Sequence, residues 1–369
     1  MNPLTSLRVR GLIAGLVAIV AFAMLPSAAS AFVYWANQRG EIGRANPDGT
    51  GVNRDFIKGV GSPQGLAVDA RHIYWANDEK GSIGRANLDG TKANPEFIKG
   101  ARIPQGVAVD GQHIYWANRG TNTIGRANLN GTKVQQSFIA GAHFPQGVAV
   151  NRNFVYWSNR NLSAIGRARL NGSGADQNFV LIPGSADLDL IAIDSSHVYW
   201  SNQTGDLIGR ANLNGSGVEP SFISGVSKPL GLAVGEGALY WANNGTSTIG
   251  RAVLGGGSYT EVNRNFITDA KAPIGVAIDA GADTKPPKTK ITKRAPKVTK
   301  KHKVKFKFKS SEPNSTFQCK LDKGKFERCK SPTTLKGLKK GKHTFQVRAV
   351  DASHNIDPTP ARAKFKVKR

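Results

Sequence analysis

The sequence predicts an all-β chain in two unlike parts. Three observations carry that prediction. The six tryptophans, Trp35, Trp75, Trp116, Trp157, Trp200 and Trp241, recur at intervals of 40, 41, 41, 43 and 41 residues. Between them, short runs of Val, Ile and aromatic residues alternate with Gly, Asn and Asp, and no window keeps a helical period. Beyond residue 285, Val and Phe alternate with Lys, the period of a strand with one buried face.

The N-terminus has its own character. Arg8 and Arg10 precede an apolar stretch from Gly11 to Leu25, then Pro26 and the small residues Ser27 to Ala31. This pattern predicts a secretory signal peptide over residues 1–31, cut before Phe32. Its apolar core is shorter than the ~20 residues of a bilayer span. Nothing later is apolar enough to cross a membrane. The mature chain is therefore expected to be secreted or at the cell surface, where Cys319 and Cys329 can oxidise. Two cysteines exclude both a disulfide-dense mini-fold and a four-thiolate zinc site.

Each tryptophan follows a tyrosine and precedes Ala or Ser and then Asn, from Asn37 to Asn243; a Gly-Arg pair follows, ending at Arg44, Arg85, Arg126, Arg167, Arg210 and Arg251. Repetition on this scale signals an array of one supersecondary unit. In the unit from Pro104 to Gly141, the runs GVAVD, HIYWAN, TIGRANLNG and VQQSFIAG read as four strands. Dipeptides such as Asp89-Gly90 and Asn130-Gly131 suit tight hairpins, because these residues tolerate positive φ. Four antiparallel strands in ~40 residues make one propeller blade. The mature chain starts inside a second strand, Phe32 to Asn37, and the array ends with a lone first strand, Ile274 to Asp279. Together they complete a sixth blade and close the ring, covering the edges that a linear array would expose. The expectation is a six-bladed β-propeller over residues 32–280.

The Tyr-Trp-x-Asn unit, the Ile-Gly-Arg strand, the Asn-Leu-Asn-Gly turn and the following PQGVAVD resemble the YWTD repeats of the low-density lipoprotein receptor class (class B repeats). The resemblance implies the same six-bladed propeller. One departure stands out: the family's Asp after Trp-Thr is Asn in all six units, so no salt bridge is carried over from it.

Residues found in every blade read as scaffold. The Tyr and Trp rings are expected to fill the packing between blades, and the repeat arginines to be stacked or hydrogen-bonded. His72, His113 and His197 share one position and read as hairpin residues. Function should lie where blades differ. The residues at the start of the innermost strand are Gln64, Gln105, Gln146, Asp189, Leu230 and Ile274. The unit from Leu181 to Asp194 is longer than the others and adds Asp187. Loops preceding the innermost strands bring Arg102 and His143 to the same rim, and those after the aromatic strands bring Arg39, Asp78, Glu79, Arg119, Arg160 and Asp206. The candidate ligand site is thus Gln64, Gln105, Gln146 and Asp189 with Arg102 and His143, for an extracellular protein or a glycan at the propeller mouth. A water-filled channel lined by amides is the plainer reading.

No metal-ligand cluster, G-x-S-x-G or H-E-x-x-H occurs, so neither a metal nor another cofactor is expected. His143 and Asp189 enter from neighbouring blades and are the one acid–base pair to be read. Non-catalytic recognition is the favoured function. The alternative is an extracellular propeller enzyme of lyase or lactone-hydrolase type, similar to virginiamycin B lyase, since such propellers include enzymes.

The tail holds the charge. The 369-residue chain has 51 Lys+Arg against 25 Asp+Glu, a net +26; 27 of the basic residues and five of the acidic ones lie between Lys285 and Arg369. A Pro/Lys-rich stretch marks a linker at 281–287. Alternating runs from Lys303, Thr316, Lys325, His343 and Ala363, with strands near Lys290 and Thr334, predict a seven-stranded β-sandwich over 288–369. SSEPNSTFQCKLD and GKHTFQVRAVDASHNIDPTPA resemble bacterial Ig-like domains. Cys319 and Cys329 would close a disulfide across a hairpin. No helix-turn-helix, zinc-finger or RNP motif accompanies the lysines, which turns the reading away from nucleic acid. Anionic cell-wall polymers are the expected partner, with the domain as spacer or wall tether.

Overall fold

The computed structural model describes residues 31–184, 187–279, 286–312, 315–350 and 356–368. The expected signal peptide lies outside these residues except for Ala31, and so does most of the expected linker. The third blade shows how the repeat folds. Its strands are Pro104–Val109, His113–Asn118, Thr123–Asn128 and Gln135–Ala140. The turn between the last two places Gly131 at φ 80°. Asn130 Oδ1 accepts from the Thr132 N–H at 3.1 Å and from its hydroxyl at 2.7 Å, which holds the turn shut. Gly125 pairs directly with Trp116 across the strands. A Cβ at Gly125 would lie 2.2–2.5 Å from atoms of the Trp116 indole, so Ile-Gly-Arg needs its glycine.

Six four-stranded antiparallel sheets repeat this plan. Their innermost strands pack in succession, from Pro63–Val68 through Pro104–Val109, Pro145–Val150, Leu188–Ile193, Pro229–Gly235 and Pro273–Ile278 back to Pro63–Val68. The result is a β-propeller. At the axis the backbones nearly touch: a Cβ on Gly106 would lie 2.7–2.9 Å from backbone atoms of Gln146, Gly147 and Val148. Blade one joins the two ends of the array, with Val33 opposite Ile278, Tyr34 opposite Ala277 and Trp35 opposite Val276. Blades are numbered from this one.

Each apolar cluster unites the tyrosine of one blade with the tryptophan of the next. Tyr34 meets Trp75, Tyr74 meets Trp116, and the series ends with Tyr240 against Trp35. All twelve rings are fully buried, and each burial stabilises by ~2–3 kcal/mol. The repeat arginines bind blade to blade. Arg126 lies 3.8 Å from the Phe138 ring centroid and donates Nη1 to Leu170 O of the next blade at 3.0 Å. Arg85 does the same with Phe97 and Leu129 O. The repeat asparagines use both ends of the amide. Asn159 Oδ1 accepts from His143 N at 2.9 Å while Nδ2 donates to Gln177 O at 2.8 Å. An ionised carboxylate has no donor for that second bond, which accounts for Asn here.

The tail is a two-sheet β-sandwich. One sheet orders Thr289–Lys293, Val304–Ser310 and Thr333–Leu335; the other holds Val298–Thr299, Ala361–Val367, Gly341–Val350, Thr316–Leu321 and Glu327–Cys329. Eight strands are thus present among the described residues rather than seven. The extra one, Val298–Thr299, pairs parallel to Ala361–Val367. Phe306, Phe308, Phe345, Val347, Phe365 and Val367 fill the space between sheets. The alternating lysines of Val304–Ser310 face solvent. Cys319 and Cys329 form a disulfide between adjacent strands. Among the described residues no helix is long and apolar enough to cross a membrane.

Candidate functional site

Six innermost strands begin around the propeller axis, and the second side chain of each lines a cavity of about 120 Å³. Gln64, Gln105, Gln146 and Asp189 form a polar arc from four successive blades. Leu230 and Ile274 complete the circle, joined by Gln38 and Leu190. The wall is therefore mainly polar across blades two to five and mainly aliphatic across blades six and one, with Leu190 and Gln38 as the exceptions on each side.

The polar arc is buried and partly unsatisfied. Gln105, Gln146 and Asp189 are 8%, 3% and 6% exposed. Among the described residues, Gln105 Nε2, Gln146 Nε2 and Asp189 Oδ2 have no hydrogen-bond partner. Folded proteins leave few buried polar atoms unpaired, and each such atom carries a desolvation cost of ~1–3 kcal/mol. Three such atoms on one wall are a notable concentration.

Among the described residues Asp189 forms an ion pair with Arg160. Arg160 Nη1 lies 3.2 Å from Asp189 Oδ1, and Arg160 Nε lies 2.7 Å from Asp187 Oδ1. Arg160 comes from a short 3-10 turn, Arg160–Leu162, that follows the aromatic strand of blade four. The ion pair so spans two blades. Burial pushes the Asp189 carboxyl up to about 7, against the attraction of Arg160, and repulsion from Asp187 adds to the rise. Two serines steady the same strand. Ser158 Oγ donates to Asp189 O at 2.6 Å and accepts from Gly147 N at 2.7 Å. Ser201 Oγ lies 3.2 Å from Leu190 O of that strand and donates to Leu230 O of the next blade at 2.6 Å. These serines stand where blades one, two, three and six have alanine. They flank the strand in which Leu190 replaces the usual glycine.

The four polar residues read from sequence meet in this cavity. Arg102 and His143 do not reach its wall. Both are exposed on the rim, and their backbone N–H groups are held by Asn118 Oδ1 and Asn159 Oδ1 at 2.9 Å. The acid–base pairing of His143 with Asp189 is thereby corrected: Asp189 pairs with Arg160. Sequence reasoning placed Arg160 on the rim and missed this partnership, and it missed Gln38 and Leu190 as lining residues. The Ala-to-Ser change at Ser158 and Ser201 was the available signal that blades four and five differ. Among the described residues no group of three His, Cys, Asp or Glu side chains is placed to hold a metal ion.

No protein-family model matches the chain, and no curated protein matches it. Among solved structures, it is similar to a chain of the nidogen/laminin complex, at 20% identity and a TM-score of 0.53, covering 67% of this chain and 98% of that one. That likeness shows a β-propeller. The structure of streptogramin B lyase is similar at 14% identity and a TM-score of 0.46, over 93% of this chain and 89% of that one. Virginiamycin B lyase from Staphylococcus aureus, with quinupristin, gives 17% and 0.46, over 80% of this chain and 93% of that one.

Proposed function

We propose that this is an exported recognition protein whose propeller, of the YWTD kind over residues 32–280, takes the end group of a glycan in its axial cavity. The observation that carries this reading is the trio of unpartnered buried polar atoms, Gln105 Nε2, Gln146 Nε2 and Asp189 Oδ2, in a cavity whose circle is completed by Leu230 and Ile274. A sugar ring has hydroxyls at its edge and C–H groups on its faces, and it matches such a divided wall. The volume is below the ~300–1,000 Å³ of ordinary ligand pockets, which suits one ring and not a whole large ligand. Catalysis would need a second proton-transfer or nucleophilic group beside Asp189, and the lining offers amides and aliphatic side chains. Binding without chemistry is the better match.

The Ig-like sandwich, residues 288–369 beyond a linker at 281–287, serves as tether to an anionic wall polymer. Lys290 stands directly opposite Lys309, and Lys293 opposite Lys307, with Lys305 on the same exposed face. None of the five has an ion pair among the described residues. Like charges directly opposite one another are destabilising, so this arrangement is explained by a partner and not by the fold.

A glycan array probed with the chain from Phe32, followed by calorimetric titration of each hit, tests the cavity. At least one sugar should bind, and Gln105→Ala with Asp189→Asn should weaken it tenfold or more. Hits whose affinities ignore both substitutions would remove the cavity from the account. For the tether, retention on anionic wall polymer should fall steeply as salt rises.

A further inference from the structure

The corner where the ring closes departs from a rule that the other blades keep. In blades two, three and five a carboxylate directly follows the innermost strand: Asp69, Asp110 and Asp194. One oxygen accepts two backbone N–H groups and the other accepts the tyrosine hydroxyl. The histidine two residues before that tyrosine sets Nδ1 3.6–3.7 Å from the carboxylate. Burial lowers the pKa of His72, so there the carboxylate gains a polar nitrogen rather than a full charge. Blade four changes both partners together. Phe154 replaces the histidine and Asn151 replaces the acid, with Asn151 Oδ1 still accepting from Asn153 N and Phe154 N.

Blade one changes only one of them. Phe32 stands where the histidine would be, yet the acid remains as Asp279, 8% exposed. Its Oδ1 accepts from Phe32 N at 2.8 Å and its Oδ2 from the Tyr34 hydroxyl at 3.1 Å. Burial and Asp279 push the Tyr34 hydroxyl up, so it stays a donor. Arg44, at the same corner, lies over the faces of Phe32 and Phe56, 4.2 and 4.1 Å from their centroids. The nitrogen facing the buried carboxylate belongs to the residue that follows Ala29-Ser30-Ala31, the small-residue site for leader removal.

We propose that hydrolysis of the Ala31–Phe32 bond installs the ion pair that locks the propeller ring. Water adds across the peptide bond before the ring folds, with an export leader peptidase as catalyst. Ala31 leaves with the new carboxylate; Phe32 keeps the nitrogen, which takes up a proton at neutral pH. A neutral amide with one N–H becomes an ammonium with three, held against Asp279. Charge-assisted hydrogen bonds are about twice as strong as neutral ones, and a buried carboxylate gains most from a full counter-charge. The joint concerned is the one in the ring that no covalent link crosses. Its backbone pairing already includes Asp279 N donating to Phe32 O at 3.0 Å. The latch deepens the reading of an exported protein and rests on it.

Two chains test the latch, 32–369 with a free Phe32 amine and 31–369, in which Ala31 returns an amide to Phe32. At pH 6 the first should melt about 3–5 °C higher. The folded state raises the pKa of the ammonium above its ordinary ~7.7–8.0, so its contribution is complete below that value. It is lost as pH rises through the folded value, and the gap should close by pH 10. Asp279→Asn in both chains should remove the gap, and the amide keeps an acceptor for Phe32 N and a donor toward Tyr34. Equal melting at pH 6, a gap persisting at pH 10, or a gap surviving Asp279→Asn overturns the proposal. N-terminal sequencing of exported material separates the two readings. A start at Phe32 with equal melting sinks the latch alone, and a start elsewhere, or no export, sinks both.

Discussion

In the ring of sheets, repeat arginines lie over phenylalanine faces and several bond a carbonyl of the neighbouring blade, as Arg126 does with Phe138 and Leu170 O. In the sandwich, Lys290 and Lys293 point outward opposite Lys309 and Lys307. One region spends its cations on its own architecture; the other leaves them facing each other and solvent. The same net sign therefore has two physical meanings. Removing a cation from the ring should cost stability, while removing one from the lysine face should gain it and lose binding.

The largest effect concerns the buried charge at the axis. The Asp189 carboxyl titrates near 7 in the folded chain, against 3.8 ordinarily. Between those values the folded state holds more protons than the unfolded one, so stability falls as pH rises from about 4 to about 7. The decline from this group is of the order of 3–4 kcal/mol. Denaturation of the chain and of Asp189→Asn at pH 4.5 and 7.5 checks it: the variant should lose less stability over that interval. An identical decline in both would show that Asp189 ionises freely.

Next in size is Arg126→Ala. It removes a cation–π contact, a bond to Leu170 O and one to Gln135 Oε1 at 2.8 Å. A loss of about 2 kcal/mol is expected in urea denaturation. Lys307→Glu should act in the opposite direction. It sets an acid opposite Lys293 and should stabilise the sandwich by about 0.5 kcal/mol, seen as slower hydrogen exchange at Phe306 and Phe308. Retention on anionic polymer should fall in the same variant. Both substitutions costing stability alike would erase the contrast between the regions.

Much of the ring was legible because one repeat position is one place in space. The residue before the innermost Gly, or before Leu190 in its place, lands at the axis in each unit, so Gln64, Gln105, Gln146, Asp189, Leu230 and Ile274 could be read as one circle. The closing blade was legible from the two incomplete units at Phe32 and Ile274. Contacts made by long side chains across blades were not. Arg160 reaches Asp187 and Asp189 because a 3-10 turn aims it over the neighbouring blade, and no spacing in the sequence encodes that turn. His143 fails for the converse reason: its loop holds the backbone to Asn159 and leaves the ring on the rim. In the tail, period-two lysines gave the faces correctly, but the two-residue strand at Val298 is too short to leave a pattern.

The most direct test is a crystal structure of the chain from Phe32 with a sugar identified on the array. Ring hydroxyls should lie within hydrogen-bond distance of Gln105 Nε2, Gln146 Nε2 and Asp189 Oδ2, with a C–H face against Leu230 and Ile274. A sugar bound anywhere else, with the axial cavity unchanged, would contradict the account.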